Sequence, residues 1–126
     1  MPLLNSLATP YADALLQVTD IRQESEEVAT QCKDLLSAWE SSEPLRDAMT
    51  SPVLEPEAKK KALTSLLSEQ VTPSLMNLLK VLADRQRLPA LEAVLLRYLE
   101  LYRESRNIAL AHLRAAQRGA SQLHAR

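Results

Sequence analysis

Apolar residues recur along this chain at intervals of three and four, and prolines cut the pattern into segments. Thr9-Pro10, Glu43-Pro44, Glu55-Pro56 and Thr72-Pro73 each place a proline where a helix can begin, because the missing N–H has no partner there anyway. Thr9 and Thr72 are expected to cap their helices through side-chain oxygens. Ser51-Pro52 and Leu88-Pro89 mark further breaks, since a residue preceding proline is pushed out of the helical region.

These marks predict six helices. The first covers 6–19, with a start before Pro10 left open, and lines up Leu7, Tyr11, Ala14, Leu15 and Val18. The second covers 22–41, where Val28, Cys32, Leu35, Leu36 and Trp39 form an amphipathic stripe. A short third spans 44–49, with Leu45 and Met49 four apart. The fourth, 56–70, is expected to turn Ala58, Ala62, Leu63, Leu66 and Leu67 inward and Lys59, Lys60 and Lys61 outward. The fifth, 73–86, and the sixth, 90–105, are the most apolar. Short connections suit antiparallel neighbours, so the expected fold is all-α, a compact six-helix bundle. In the fifth helix Leu75, Met76, Leu78, Leu79, Val81 and Leu82 leave only a narrow polar strip. Such a helix is either central or has a face waiting for a partner. Residues 107–126 form a short C-terminal extension of open conformation. Its alanines suit a helix stopped by Gly119, while 107–113 alternates loosely like a strand.

Composition strengthens the all-α reading. The 126 residues include 25 Leu and 17 Ala but one Gly and no Phe, which favours helices and starves hairpins of turn residues. One glycine also excludes the Gly-rich loops that cradle phosphates, so no nucleotide cofactor is expected. A lone cysteine allows neither an internal disulfide nor a cysteine-based zinc site, and His112 and His124 lack acidic partners at ligand spacing. Uncharged runs such as Val71 to Leu79 are too short to enter a bilayer as a span, and the N-terminus resembles neither a signal nor a transit peptide. An intracellular protein without direct membrane insertion is the expectation.

The net charge of −1 is unevenly spread. Residues 1–102 hold ten basic against fifteen acidic side chains, whereas 103–126 hold five arginines against Glu104. A small RNA-binding helical module using that tail and Lys59–Lys61 is one reading, but the acidic body lacks the coherent positive face that phosphates need. No nucleic-acid partner is therefore expected. Catalytic chemistry is also missing. Glu24, Glu26 and Glu27 read as solvated charge, and no serine or histidine sits in a nucleophile motif. Cys32 and Trp39 fall on the second helix's apolar stripe and read as core.

Two segments carry a family resemblance. Ala8-Thr9-Pro10-Tyr11-Ala12-Asp13-Ala14-Leu15 resembles the opening helix of the delta subunit of F-type ATP synthases, a family that includes the mitochondrial oligomycin-sensitivity-conferring protein. The stretch from Met76 to Leu88, an apolar helix followed by a turn ending in Arg-Leu, is similar to that family's most recognisable region, and Leu91 to Tyr102 to the helix that follows. The resemblance implies a non-catalytic stator subunit whose N-terminal bundle, residues 1–106, sits on the catalytic head. It implies a groove between the first and fifth helices that holds the amphipathic N-terminal helix of one alpha subunit. The matching positions are Tyr11, Ala14, Leu15 and Val18 on the first helix and Asn77, Leu78, Val81 and Leu82 on the fifth.

Members of that family carry a second, C-terminal domain that grips the b subunits of the peripheral stalk. Here only Ile108 to Leu113 resembles the start of that domain's first strand, so 107–126 is read as a linker or a truncated remnant of it. The implied location is the bacterial cytoplasm, peripheral to the plasma or thylakoid membrane. A stand-alone helical adaptor for a different amphipathic helix predicts the same elements and differs only in its partner. Head binding is expected to rest on apolar burial with aromatic anchors, and so to depend weakly on salt.

Overall fold

Prolines open three consecutive helices in the computed structural model, which describes the backbone of residues 2–124 and the side chains of 6–117. The element order is α1 (Pro2–Ile21), α2 (Ser25–Ser41), α3 (Glu43–Thr50), α4 (Pro56–Leu67), α5 (Pro73–Asp84), a single 3₁₀ turn (Leu88–Ala90) and α6 (Leu91–His124). No strand occurs among the described residues. Ser42 caps α3 by accepting from the Leu45 N–H at 3.2 Å. Thr72 caps α5 by accepting from the Leu75 N–H at 3.3 Å, and its own N–H donates to Gln31 Oε1 of α2 at 2.9 Å.

Helix α1 makes its most extensive contact with α6, and the two run parallel. Arg97 Nε donates to Thr9 Oγ1 near one end, and Arg106 lies 3.6 Å from Asp20 near the other. Ala8 and Ala12, both wholly buried, are small enough to let a neighbouring helix come close. The core gathers Val28, Cys32, Leu35, Leu36 and Trp39 from α2 with Leu75, Leu79 and Leu82 from α5 and Leu91, Val94, Leu95 and Tyr98 from α6. Burial pushes the Cys32 thiol up to about 12, so it stays protonated and inert.

Several boundaries differ from the sequence expectation, each for a physical reason. Pro10 lies inside α1, as the 6–19 range allowed, and Thr9, expected as an N-cap, does not act as one. Pro10 is exposed, and the wholly buried Ala8 and Ala12 hold the chain on either side of the missing N–H. α1 and α5 each end in a Schellman turn. Glu24 N–H bonds Thr19 O at 2.8 Å and Gln23 N–H bonds Asp20 O at 3.2 Å; Arg87 N–H bonds Leu82 O at 2.7 Å and Gln86 N–H bonds Ala83 O at 3.1 Å. Both turns need a left-handed residue, and Gln23 (φ 58°) and Gln86 (φ 55°) supply it where glycine is the common choice. Hence α2 starts three residues later than its pattern suggests, and α5 stops two residues earlier.

α4 is rotated from its expected face. Lys59 is buried beside Leu63, while Ala58 and Leu66 are exposed. Its long stem lets the lysine cover apolar surface. Lys60 reaches Glu57 and Asp84, each at 2.7 Å, and so ties α4 to the end of α5. α6 continues through 106–113 and past Gly119, so neither the strand nor the glycine stop forms. Ala109, Ala111, Ala115 and Ala116 favour helix, and a strand at 107–113 would find no other strand to pair with among the described residues. From residue 106 to 117 every side chain of this 34-residue helix is exposed.

A buried polar knot joins three helices. The Tyr98 hydroxyl lies 3.0 Å from Thr19 Oγ1 and 3.2 Å from the Ser25 carbonyl. Thr19 also bonds Leu16 O at 3.1 Å, and Ser25 Oγ bonds the Asp20 carboxylate. No buried side-chain nitrogen or oxygen among the described residues lacks a partner. Replacing Tyr98 by Phe is expected to cost about 1–2 kcal/mol, read as a lower urea midpoint with unchanged slope. Gln86→Gly is expected to stabilise the fold by about 0.5–1 kcal/mol, read as a higher urea midpoint, because glycine enters the left-handed region without the Cβ penalty. A Gln86→Gly variant of lowered stability would contradict the turn assignment.

Candidate functional site

α1 and α5 run antiparallel. Tyr11 of α1 meets Arg85 and Arg87 just past the end of α5, while Glu24, just past the end of α1, accepts from Ser74 Oγ at 3.3 Å in the first turn of α5. Between the two helices lies a groove of about 280 Å³. Leu15 and Leu78 are buried and form its floor. Val18, 42% exposed, and Val81, 37% exposed, are its open apolar walls. Ala14 leaves room for a backbone to approach, and Asn77 adds a polar edge.

The structure therefore brings seven of the eight expected positions to one concave surface: Tyr11, Ala14, Leu15, Val18, Asn77, Leu78 and Val81. Leu82 is placed differently. It is wholly buried in the core and does not line the groove. Arg22 and Ser74 line it and were missed. Arg22 lies four residues after Val18 and extends the same helical row, which was the available signal. Arg85, four after Val81, was legible in the same way.

The groove also answers the question raised by the apolar girth of α5. Leu75, Leu79, Leu82 and Ala83 are wholly buried, and Met76 and Leu78 nearly so, leaving Val81 as the exposed apolar residue. α5 is a central core helix, and the surface it leaves over is narrow. α1 contributes as much to the groove as α5 does.

Tyr11 is held at one end of this surface. Arg85 Nη1 donates to its hydroxyl at 3.1 Å and Arg87 Nη1 at 2.8 Å, with the guanidinium carbons 5.8 and 5.9 Å from the ring centre. Burial pushes the Tyr11 phenol up, but the hydrogen bonds and positive charges of the two arginines outweigh it and hold the group below its ordinary value. A larger cleft of about 490 Å³ between α4 and α5 differs in kind. It is lined by Glu57, three lysines and two hydroxyl residues, and Lys60 there is committed to Glu57 and Asp84. No group of three potential metal ligands occurs among the described residues, and no described helix is long and apolar enough to cross a membrane.

The family model for the ATP synthase delta (OSCP) subunit matches residues 7–123. The chain belongs to that family. ATP synthase subunit delta of Synechococcus sp. strain CC9311 is 97% identical over 93% of this chain. Its counterpart in strain WH7803 is 78% identical over the same share, and that of the Paulinella chromatophora chromatophore 66% identical over 92%. The chain spans 64% of the length of each of these relatives. A chain in the cryo-EM structure of the Polytomella F-ATP synthase, refined on the F1 head and rotor, shares the fold with a TM-score of 0.68 at 23% identity, covering 77% of this chain and 88% of that one. In this delta-family chain the groove is thus carried by a family fold.

Alkaline titration followed by tyrosine absorbance checks the electrostatics. Of the three tyrosines, Tyr11 is expected to ionise below the usual range and Tyr98, raised by burial, above it. Because the folded Tyr11 value lies below the unfolded one, its linked stabilisation is absent at neutral pH, grows as pH rises through the folded value and is complete above the unfolded one. For Tyr98, raised in the folded state, the sign is opposite, and stability is lost as pH rises from the unfolded value through the folded one. In an Arg85→Gln/Arg87→Gln chain the early Tyr11 transition should disappear; its persistence would show that the arginines do not set it.

Proposed function

We propose that this chain is the head-binding bundle of a delta subunit and acts as a non-catalytic stator component of an F-type ATP synthase. In this reading the α1–α5 groove receives the amphipathic N-terminal helix of one alpha subunit. The observation that carries it is the concave apolar strip formed by Ala14, Leu15, Val18, Leu78 and Val81, bordered by Tyr11 at one end, in a chain of the delta family. The groove offers what a helix-in-groove partner uses: a small residue for close approach, one exposed valine on each wall to receive its apolar anchors, and an aromatic rim.

A stator does no chemistry and needs slow dissociation under torque. Val18 is 42% and Val81 37% exposed, so covering what remains of each contributes roughly 0.6–1.2 kcal/mol, to which the partner's own buried apolar face adds, against about 0–1 kcal/mol for an exposed ion pair. The peripheral-stalk b subunits are a second partner in this reading only where the family's C-terminal domain accompanies the bundle. The location is the cytoplasmic side of the plasma or thylakoid membrane of a cyanobacterium, held there by the complex rather than by insertion.

Calorimetric titration of the chain with a synthetic peptide covering the alpha subunit's N-terminal helix tests the proposal. One-to-one binding is expected. Val81→Asp should weaken it roughly 100-fold or more by placing an unpaired charge in the covered groove, and Tyr11→Ala roughly tenfold. Circular dichroism confirms that both variants fold. Absence of binding by the folded, unaltered chain would overturn the assignment and leave an adaptor for another helix.

A further inference from the structure

The groove is electrostatically lopsided. At its Tyr11 end two guanidiniums converge on one neutral phenol, Arg85 at 3.1 Å and Arg87 at 2.8 Å. The turn explains how residues two apart reach one atom: Gln86 between them takes φ 55°, which reverses the chain and sends both side chains toward α1. Neither arginine is paired with a carboxylate among the described residues, and the neighbouring Asp84 is engaged by Lys60 at 2.7 Å. Each guanidinium carries five N–H donors, so bonding to Tyr11 leaves most of each fork open to solvent. Two like charges held side by side, with only a hydroxyl between them, lack an anion.

The opposite end is close to neutral. Arg22 lines the groove there, and Glu24, which accepts from Ser74, supplies the opposing charge. From Tyr11 to Arg22 the α1 wall is roughly 16 Å long, about three turns of a docked helix.

The geometry points to a carboxylate-reading subsite formed by Arg85, Arg87 and Tyr11, which takes an aspartate or glutamate side chain of the docked helix one turn beyond its last apolar anchor. This rests on the groove reading above and adds to it a rule of register and direction. A helix entering the other way round would set that carboxylate at the end holding Arg22 and Glu24, where the charges nearly cancel, and leave Arg85 and Arg87 without a carboxylate. Forked guanidiniums suit a carboxylate's two oxygens, and the pair discriminates between orientations that apolar contacts alone would leave nearly equal. One such subsite keeps the salt dependence of binding shallow.

The test is a double-mutant cycle by calorimetry on the whole chain. The probes are the alpha N-terminal peptide of the Synechococcus enzyme and a set in which each acidic residue is changed, one at a time, to its amide. Arg85→Gln/Arg87→Gln, both at exposed positions, should weaken the parent peptide roughly 10–100-fold. One amide peptide should show the same loss against the unaltered chain and no further loss against the double variant. Equal affinity of the double variant for the parent peptide, or losses that simply add for every acidic position, would overturn the subsite. Val81→Asp separates the two ideas. If it abolishes binding while Arg85→Gln/Arg87→Gln does not, the groove stands and the subsite falls; if the unaltered chain binds no peptide, both fall.

Discussion

Helix α1 carries a wider apolar arc than one neighbour can cover. Ala8, Ala12, Leu15, Leu16 and Thr19 are buried, and on the adjoining flank Tyr11, Ala14 and Val18 follow at helical spacing. The buried side packs chiefly on α6, fixed by the Tyr98–Thr19–Ser25 knot, where a hydroxyl without partners would cost about 1–3 kcal/mol. With α1 pinned in that rotation, its other flank has to face the edge of α5. The groove is a consequence of how α1 is anchored.

The end of α5 depends on the same arrangement. Its N-terminus is tied to α2 through Thr72 and Gln31, and its last turn to α4 through Asp84 and Lys60. Held at both ends, it presents Asn77, Leu78 and Val81 along α1 and then turns sharply at Gln86. A non-glycine residue in the left-handed region is a local strain, and here it occurs where two arginines are brought to one tyrosine. Rigid helices supply the apolar wall, and a strained turn supplies the charged end.

Much of this was legible from residue order. Proline positions and three–four spacing placed six helices, and the stripe of α2 placed Cys32 and Trp39 in the core. What failed had tertiary causes. Helix ends at Gln23 and Gln86 were hidden because glutamine carries no left-handed signature. Thr9 read as a cap because its signal with Pro10 is strong, yet packing of Ala8 and Ala12 carries the helix through both residues. Lys59 looked like part of a solvated run, and only the rotation of α4 sends it inward. At the groove, spacing alone could bring Tyr11, Ala14 and Val18 to one face of α1, while the pairing of α1 with α5 came from the family resemblance. The depth of Leu82 was not readable, since a helix buried on most sides gives no phase by which to tell floor from core.

The central claim is that α1 and α5 form one surface for a single incoming helix. The most direct measurement is a map of backbone amide shifts in isotope-labelled chain as the alpha N-terminal peptide is added. The account predicts changes concentrated at 11–22 and 74–87, saturating together at one peptide per chain. Changes centred on the lysine-lined cleft of α4 or on the exposed stretch of α6, with 11–22 unmoved, would contradict it.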